Sequence, residues 1–499
     1  MVDKLSPSTD NCPLQTRGFA VRNKIVFYLN GKRHSVGATE ASMMLSDYLR
    51  YDQGLTGTKV VCAEGDCGAC SVLRFFPHAK GVDWQNYIPV NSCITQVATL
   101  DGSSLLTVEA LKDNDRLHEA QRAMVDCHGS QCGFCTPGFV VTLGGLVEEK
   151  ISKNEKTITE QEAKNCLTGN LCRCTGYQGI IDAAVSVDLK IEKSLKSRYF
   201  DKDQEKDLVD TFNTPVEIKH DDFIFFAPKT IKEACTFLEN NPDCRIIASS
   251  TDLGVVHNKR RLKLEKLLSL HLIPELYQIV GNDQVSLGAR VTHTEFRHFI
   301  KDTMPEIAHY LDLFASPQIK NLATVVGNVA TASPIGDTPP VFLALDAKLV
   351  LASSSGERVV NISDFFLDYR KTLRKPNEII VRIEFDLPKK STLKAIKNSN
   401  RKDLDISAVN MVMNIEMDSA KVVKEIRLAA GGIAAIPLRL KKTEDSLRGQ
   451  KLDKKSIEAA LSLVHSEFNP LSDLRASSAY RRIVVENSLS RFLHEEAAK

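Results

Sequence analysis

Eleven of the thirteen cysteines fall within the first 174 of 499 residues. "VCAEGDCGAC" sets Cys62, Cys67 and Cys70 at a C-x4-C-x2-C spacing, with Cys93 downstream in "NSCIT". "QCGFCTPG" carries Cys132 and Cys135, and "LCRCTGY" carries Cys172 and Cys174. Grouped thiolates of this kind bind soft metals or do redox work. An odd total fits a disulfide framework poorly. The opening "MVDKLSPSTDNCPLQTRG" has no apolar core, so it reads as a short tail rather than a secretory signal. The expected compartment is therefore the reducing cytoplasm, where grouped cysteines serve metal or redox chemistry.

The first spacing is that of plant-type [2Fe–2S] ferredoxins. Gly65 and Gly68 let the backbone wrap tightly and aim N–H groups at sulfur. Zinc prefers paired C-x2-C knuckles and fits the x4 gap badly. The second set, Cys132, Cys135, Cys172 and Cys174, comes from two glycine-flanked loops at helix ends. Spacing alone leaves an iron–sulfur cluster and zinc both open there, with C-x-C awkward for zinc.

The rest of the chain places these groups. "RNKIVFYLNGKRHSV" alternates around Asn30-Gly31, a hairpin signal. "TEASMMLSDYLR" reads as a short amphipathic helix, and "CSVLRFF" and "YIPVNSC" read as strands. Residues 115–190 turn helical, and the charged run 190–210 reads as a solvated linker. An α/β segment follows from about 220, then the strands "ISAVNMVMNIEM" and "VKEIRLAAGGIAA" with two helices. A net charge of +2 gives no electrostatic case for nucleic acid or an anionic membrane. No apolar run approaches the ~18 residues of a membrane span. Neither a dinucleotide G-x-G-x-x-G nor a P-loop occurs.

Taken together, "CAEGDCGAC", "QCGFCTPG" and "CRCTGYQGI" resemble the iron–sulfur portion of the molybdenum hydroxylases, the xanthine dehydrogenase and aldehyde oxidase family. "RIIASSTDLGV", "FASPQIKNLATVVGNVATASPIGDTPP", "YRKTLRKPNEIIV" and "AIKNSNRKDLDISAV" follow in that family's order. The likeness covers roughly residues 22–495. It implies a multidomain α+β chain. The expected units are a β-grasp ferredoxin-like domain (22–108), a four-helix [2Fe–2S] domain (109–190) and a linker (191–218). An α/β FAD domain of the vanillyl-alcohol-oxidase type (219–388) and a small α+β C-terminal domain (389–497) complete it.

By resemblance, Cys62, Cys67, Cys70 and Cys93 hold one [2Fe–2S] cluster, and Cys132, Cys135, Cys172 and Cys174 hold the other. Gln131 matches a glutamine that contacts molybdopterin. Ile246, Ile247, Ala248, Ser249, Ser250, Thr251, Asp252, Leu253 and Gly254 line FAD. Phe314 and Lys397 lie by the flavin ring. Thr324, Gly327, Asn328 and Asp337 contact the nucleotide, Ile380 packs on it, and Tyr369 belongs to the nicotinamide region. Two positions depart from the family pattern. Ser249 stands where a glycine is usual, and Val326 stands for the first of two glycines. Cys12, Cys127, Cys166, Cys235 and Cys244 have no counterpart role.

The resemblance also implies an electron-transfer subunit that receives electrons from a large molybdopterin-binding partner during purine hydroxylation and reduces NAD through FAD. A dimer of heterodimers is expected, acting on small molecules and not on nucleic acid or membranes. No hydroxylation residue is expected on this chain. Two alternatives remain. One is the corresponding subunit of an aldehyde or other molybdenum hydroxylase. The other is a redox-sensing iron–sulfur flavoprotein with no catalytic partner, against which Gln131 argues.

Overall fold

The computed structural model describes residues 21–77, 86–190 and 192–499. Cys12, the tail at residues 1–18 and position 191 of the expected linker lie outside them. The chain begins with a five-stranded sheet ordered Lys32–Val36, Ile25–Leu29, Ser104–Leu106, Ser71–Phe75, Ile88–Asn91. The pairing of Ile25–Leu29 with Ser104–Leu106 is parallel and the others antiparallel, a β-grasp arrangement. The expected hairpin forms because Asn30 and Gly31 both take positive φ, 52° and 79°, as a two-residue turn requires.

"TEASMMLSDYLR" differs from the single helix expected. It breaks into Ala38–Ala41, Leu45–Asp47 and a wide turn over Tyr48–Asp52. Leu45 N–H donates to Thr95 O at 2.7 Å, so tertiary bonding diverts the backbone there.

Four helices, Glu119–Asp126, Thr136–Ser152, Glu160–Leu167 and Gln178–Ser186, form the next unit. Pro137 sits in the first turn of Thr136–Ser152, where its missing N–H costs nothing. That helix is buried along most of its length and shares one core with Leu73, Phe75 and Leu106 of the sheet.

The charged run is not a solvated linker. It folds as two helices, Leu195–Tyr199 and Lys202–Phe212, strapped over both iron–sulfur units. Phe200 meets Phe75 at 4.8 Å. Tyr199 donates to Ala110 O at 2.7 Å, and Asp207 accepts from Arg33 and Tyr28. Charge patterning hid the apolar side of these helices, formed by Leu195, Leu208 and Phe212.

Two sheets build the flavin unit. One orders Val216–His220, Phe223–Ala227, Lys266–Ser269, Arg245–Ile247, with the first pairing antiparallel and the other two parallel. The other is antiparallel and five-stranded, centred on Lys348–Ser353 and Ile379–Asp386. An antiparallel sheet over Thr392–Arg439 and the helices Lys441–Leu447, Lys454–Val464 and Ser478–Ala498 close the chain. The first sheet and the first flavin sheet share a core that includes Phe27, Leu45, Phe225 and Leu267. Their relative placement is therefore fixed by apolar packing. Among the described residues no helix is long and apolar enough to cross a membrane.

Candidate functional site

The loop Cys62–Cys70 follows no regular element and is shaped by left-handed residues. Ala63, Gly65 and Gly68 have φ of 53°, 78° and 66°. This turns the N–H groups of Glu64 and Cys67 onto Cys62 Sγ, each at 3.5 Å. Asn91 Nδ2 points at Cys70 Sγ from 3.8 Å. The four thiols meet in a run of contacts, Cys67 with Cys62, Cys62 with Cys93 and Cys93 with Cys70. Hydrogen bonds from the Cys67 and Cys93 thiols hold Cys62 well below the ordinary thiol range. Cys70 and Cys93 are buried beside Ile94, with Val60, Val255 and Ile319 packed around them.

The second group forms at two helix ends. Cys174 Sγ lies 3.6 Å from Cys132 Sγ, and Cys135 pairs with Cys172. Thr175 Oγ1 donates to Cys172 Sγ at 3.1 Å, and Cys172 N–H donates to Tyr177 OH at 3.0 Å. Tyr177 itself takes φ 70° to start the next helix. Gln131, Cys132 and Cys174 are exposed on this side.

These donor sets suit two-iron clusters better than a single ion. Each iron of a [2Fe–2S] cluster takes two bridging sulfides and hence two thiolates, so four cysteines should gather as two pairs. The second group does so, and in the first the two pairs meet through Cys62 and Cys93. Among the described residues no three His, Cys, Asp or Glu side chains converge as a one-ion site. Cys166, Cys235 and Cys244 lie outside both loops. Burial pushes the Cys235 thiol up to about 11 and the Cys166 and Cys244 thiols up to about 12, which keeps them protonated and inert.

The two cysteine loops touch. Leu171 N–H donates to Cys67 O at 3.0 Å. A Cβ on Gly68 would stand 2.2 Å from Gly169 O, so only glycine allows this approach. The flavin unit joins the same point. Gln318 Nε2 lies 2.9 Å from Asn170 Oδ1, 3.2 Å from Thr142 Oγ1 and 3.3 Å from Ser71 Oγ. Sequence reasoning missed Gln318 and Asn170, because amide side chains in loops carry no spacing signal.

The flavin-motif loop Ile246–Gly254 runs from a strand into the helix Thr251–Arg260. Ser250 takes φ 70°, and its buried hydroxyl has no hydrogen-bond partner. An orphaned donor at a helix N-terminus suits an anionic group. Gly254 abuts the Ile94 carbonyl, and Asn258 on the next turn donates to Ala63 O and Cys93 O at 2.9 and 2.8 Å. The flavin loop therefore stands directly on the ferredoxin-like loop. Asn258 lies four residues beyond Gly254, a helical spacing that marks the same face.

Thr324 caps the helix Val325–Ala330, accepting from Gly327 N–H at 3.1 Å, and Asn328 accepts from Thr338 Oγ1 at 2.6 Å. Val326 is buried in the core and Ser249 bonds to Arg290, so packing absorbs both departures from the family pattern. Lys397 Nζ and Asp337 form a buried ion pair at 2.7 Å, which Ser407, Asn410 and Tyr310 complete. Phe314 is half-buried, 4.6 Å from the ring of His293. His293 is fully buried with both ring nitrogens unpartnered, a second orphan beside the expected flavin position. Ile380 is buried in a central strand, and Tyr369 is exposed on the turn between Asp368 and Lys371.

Three domain families match the chain. "[2Fe-2S] binding domain" covers residues 107–185, "FAD binding domain in molybdopterin dehydrogenase" 218–390, and "CO dehydrogenase flavoprotein C-terminal domain" 394–496. The xanthine dehydrogenase of Emericella nidulans is 30% identical over 94% of this chain and 38% of that protein. Xanthine dehydrogenase 1 of Arabidopsis thaliana is 30% identical over 89% of this chain and 37% of its own length. The chain thus spans under two fifths of the relatives it matches. Among solved structures, carbon monoxide dehydrogenase from Hydrogenophaga pseudoflava aligns with a TM-score of 0.51 and 26% identity, covering 54% of this chain and 95% of that one. Quinoline 2-oxidoreductase from Pseudomonas putida 86 aligns at 0.51 and 25%, covering 55% and 97%.

Proposed function

The chain belongs to the molybdenum hydroxylase family, with the iron–sulfur and flavin modules of that family in one polypeptide, and we propose that it serves a xanthine dehydrogenase as the electron-transfer portion. In this reading a large molybdopterin-binding partner oxidises a purine with water as the oxygen source. One substrate molecule, one water and one NAD⁺ give the hydroxylated purine, NADH and a proton. When bound, the [2Fe–2S] clusters and FAD supply the exchange between one-electron and two-electron steps.

The chain's own residues set the direction. The observation that carries the reading is the contrast between its two cysteine groups. Cys132 and Cys174 are exposed, with exposed Phe134, Leu171 and Tyr177 around them. A surface cavity of about 370 Å³, lined by Leu117, Met124, Val125 and Pro137, lies beside them. Exposed apolar groups of this kind suit a partner protein, and Gln131 stands at the same edge to meet its pterin. Cys70 and Cys93 are buried between this surface and the flavin loop. Electrons enter at the helical unit, cross the Leu171–Cys67 contact, and reach the loop that Asn258 anchors. Tyr369 is the exposed residue assigned to the nicotinamide side.

Purification of the native complex tests this. A co-purifying large chain containing molybdenum, with xanthine- or hypoxanthine-dependent NAD⁺ reduction under anaerobic conditions, is the expected result. Activity with aldehydes but not purines would assign another hydroxylase of the family. A lone iron–sulfur flavoprotein with no molybdenum partner would point to the sensing role instead.

A further inference from the structure

A cavity of about 30 Å³ lies between the ferredoxin-like sheet and the flavin unit, apart from both cysteine groups. Arg74 and Phe76 line it from the sheet; Ser249, Tyr277, Arg290 and Glu295 line it from the flavin unit. Arg74 and Arg290 are buried, at 5% and 7% exposure. Glu295 is the one carboxylate among the residues that line the cavity. Arg74 donates from Nε to Ser103 Oγ at 3.0 Å and from Nη2 to Thr99 O at 2.7 Å. Arg290 donates from Nε to Tyr277 OH at 3.2 Å and from Nη1 to Ser249 Oγ at 3.1 Å and the Ala248 carbonyl. Among the described residues these bonds use neither Nη1 of Arg74 nor Nη2 of Arg290.

Buried charges are ordinarily matched by opposite charge. Glu295 brings one negative charge to this cavity, held on the backbone N–H of Thr292 at 2.6 Å. Among the lining residues, two cations and one anion leave one positive charge over. Each arginine opposes the other's charge, and burial pulls Arg74 down to about 10. A space of this size takes a single small group, and its spare donors are guanidinium N–H, which favour anions.

We propose that this cavity binds one anionic group, a free halide or a phosphate oxygen of the flavin dinucleotide, as the counter-charge of Arg74 and Arg290. The site joins the ferredoxin-like sheet to the flavin loop, because Arg290 holds Ala248 and Ser249 of that loop. The flavin source rests on FAD being held by this loop; the halide source does not.

The experiment uses the full chain, wild type and the Arg74→Met and Arg290→Met variants, with iron and flavin content measured first. Met fills similar volume without charge, and apolar replacement of a buried ion is often tolerated. Thermal midpoints are followed against sodium chloride, with sodium gluconate at equal ionic strength as control. FAD affinity is measured by flavin fluorescence. A saturable chloride-specific rise in the wild-type midpoint, lost in both variants, supports the site and identifies a halide. No chloride effect, with FAD affinity lowered about tenfold or more in both variants at full iron content, supports it with the flavin as source. Chloride response and FAD affinity equal in all three proteins would overturn it. Wild-type chain that holds iron but never retains FAD would count against the flavin assignment itself, and the chloride arm would still decide the site.

Discussion

The backbone N–H of Leu171 donates to the carbonyl of Cys67 across 3.0 Å, which places the two cysteine loops one hydrogen bond apart. The approach depends on Gly68, whose φ is 66° and whose missing Cβ would sit 2.2 Å from Gly169 O. Gly68→Ala should push the loops apart and alter both iron–sulfur spin resonance signals. Gly54→Ala bears a comparable φ of 67° but meets nothing within 4 Å. It should cost about 1 kcal/mol of backbone strain and leave both signals unchanged.

The pairing of thiols separates the two groups experimentally. The full chain should contain about four irons and one flavin by the [2Fe–2S] assignment. Cys67→Ser should remove one reduced-state signal and Cys135→Ser the other, since a hydroxyl is a poor iron ligand. Cys235→Ser should remove neither, because its thiol is buried away from both loops. Stoichiometric zinc without iron after anaerobic preparation would contradict the assignment.

Asp337 and Lys397 are nearly inaccessible, at 6% and 1% side-chain exposure. Lys397→Met leaves a buried carboxylate with Ser407, Asn410 and Tyr310 but no counter-charge. That loss should cost roughly 3–5 kcal/mol, seen as a lower unfolding midpoint. Asp337→Asn combined with Lys397→Met should recover much of it. If Lys397 also stands by the flavin ring, the double variant should fold yet show a shifted flavin spectrum.

Two buried histidines give a pH dependence of defined sign. Burial lowers His271 to about 4 and His293 to about 3. Unfolded, each returns to about 6.5 and binds a proton that the folded chain refuses. Their stability contribution is complete above pH ~6.5, shrinks as the pH falls below it, and is fully lost by about pH 4 for His271. The unfolding midpoint should therefore decline on acidification from about pH 6.5 to 4, and His293→Phe should flatten that decline. A midpoint unchanged across this window would contradict the assignment.

The cysteine loops, the first hairpin and the C-terminal strands were legible in the sequence because each rests on local chemistry: thiol spacing, an Asn-Gly turn, period-two alternation. The strap over residues 195–212 was not legible, since its charged face resembles a solvated linker and its apolar face is short. Contacts that join the units were also hidden. Gln318 and Asn258 act across 148 and 165 residues of chain, and no local pattern distinguishes them from ordinary loop or helix amides. Ser249 stood out as a departure from the family pattern, but its partner Arg290 is 41 residues away. The role of that position emerges only from the packed structure.

In the proposed relay electrons cross the helical unit before reaching the flavin, while NADH meets the flavin directly. Cys135→Ser in the native complex tests it most directly, with the other cluster and the flavin verified present. Near-normal NADH-to-dye transfer and loss of xanthine-to-NAD⁺ turnover are the expected result. A variant lacking the Cys135 cluster, correctly folded, that still couples xanthine to NAD⁺ would contradict it.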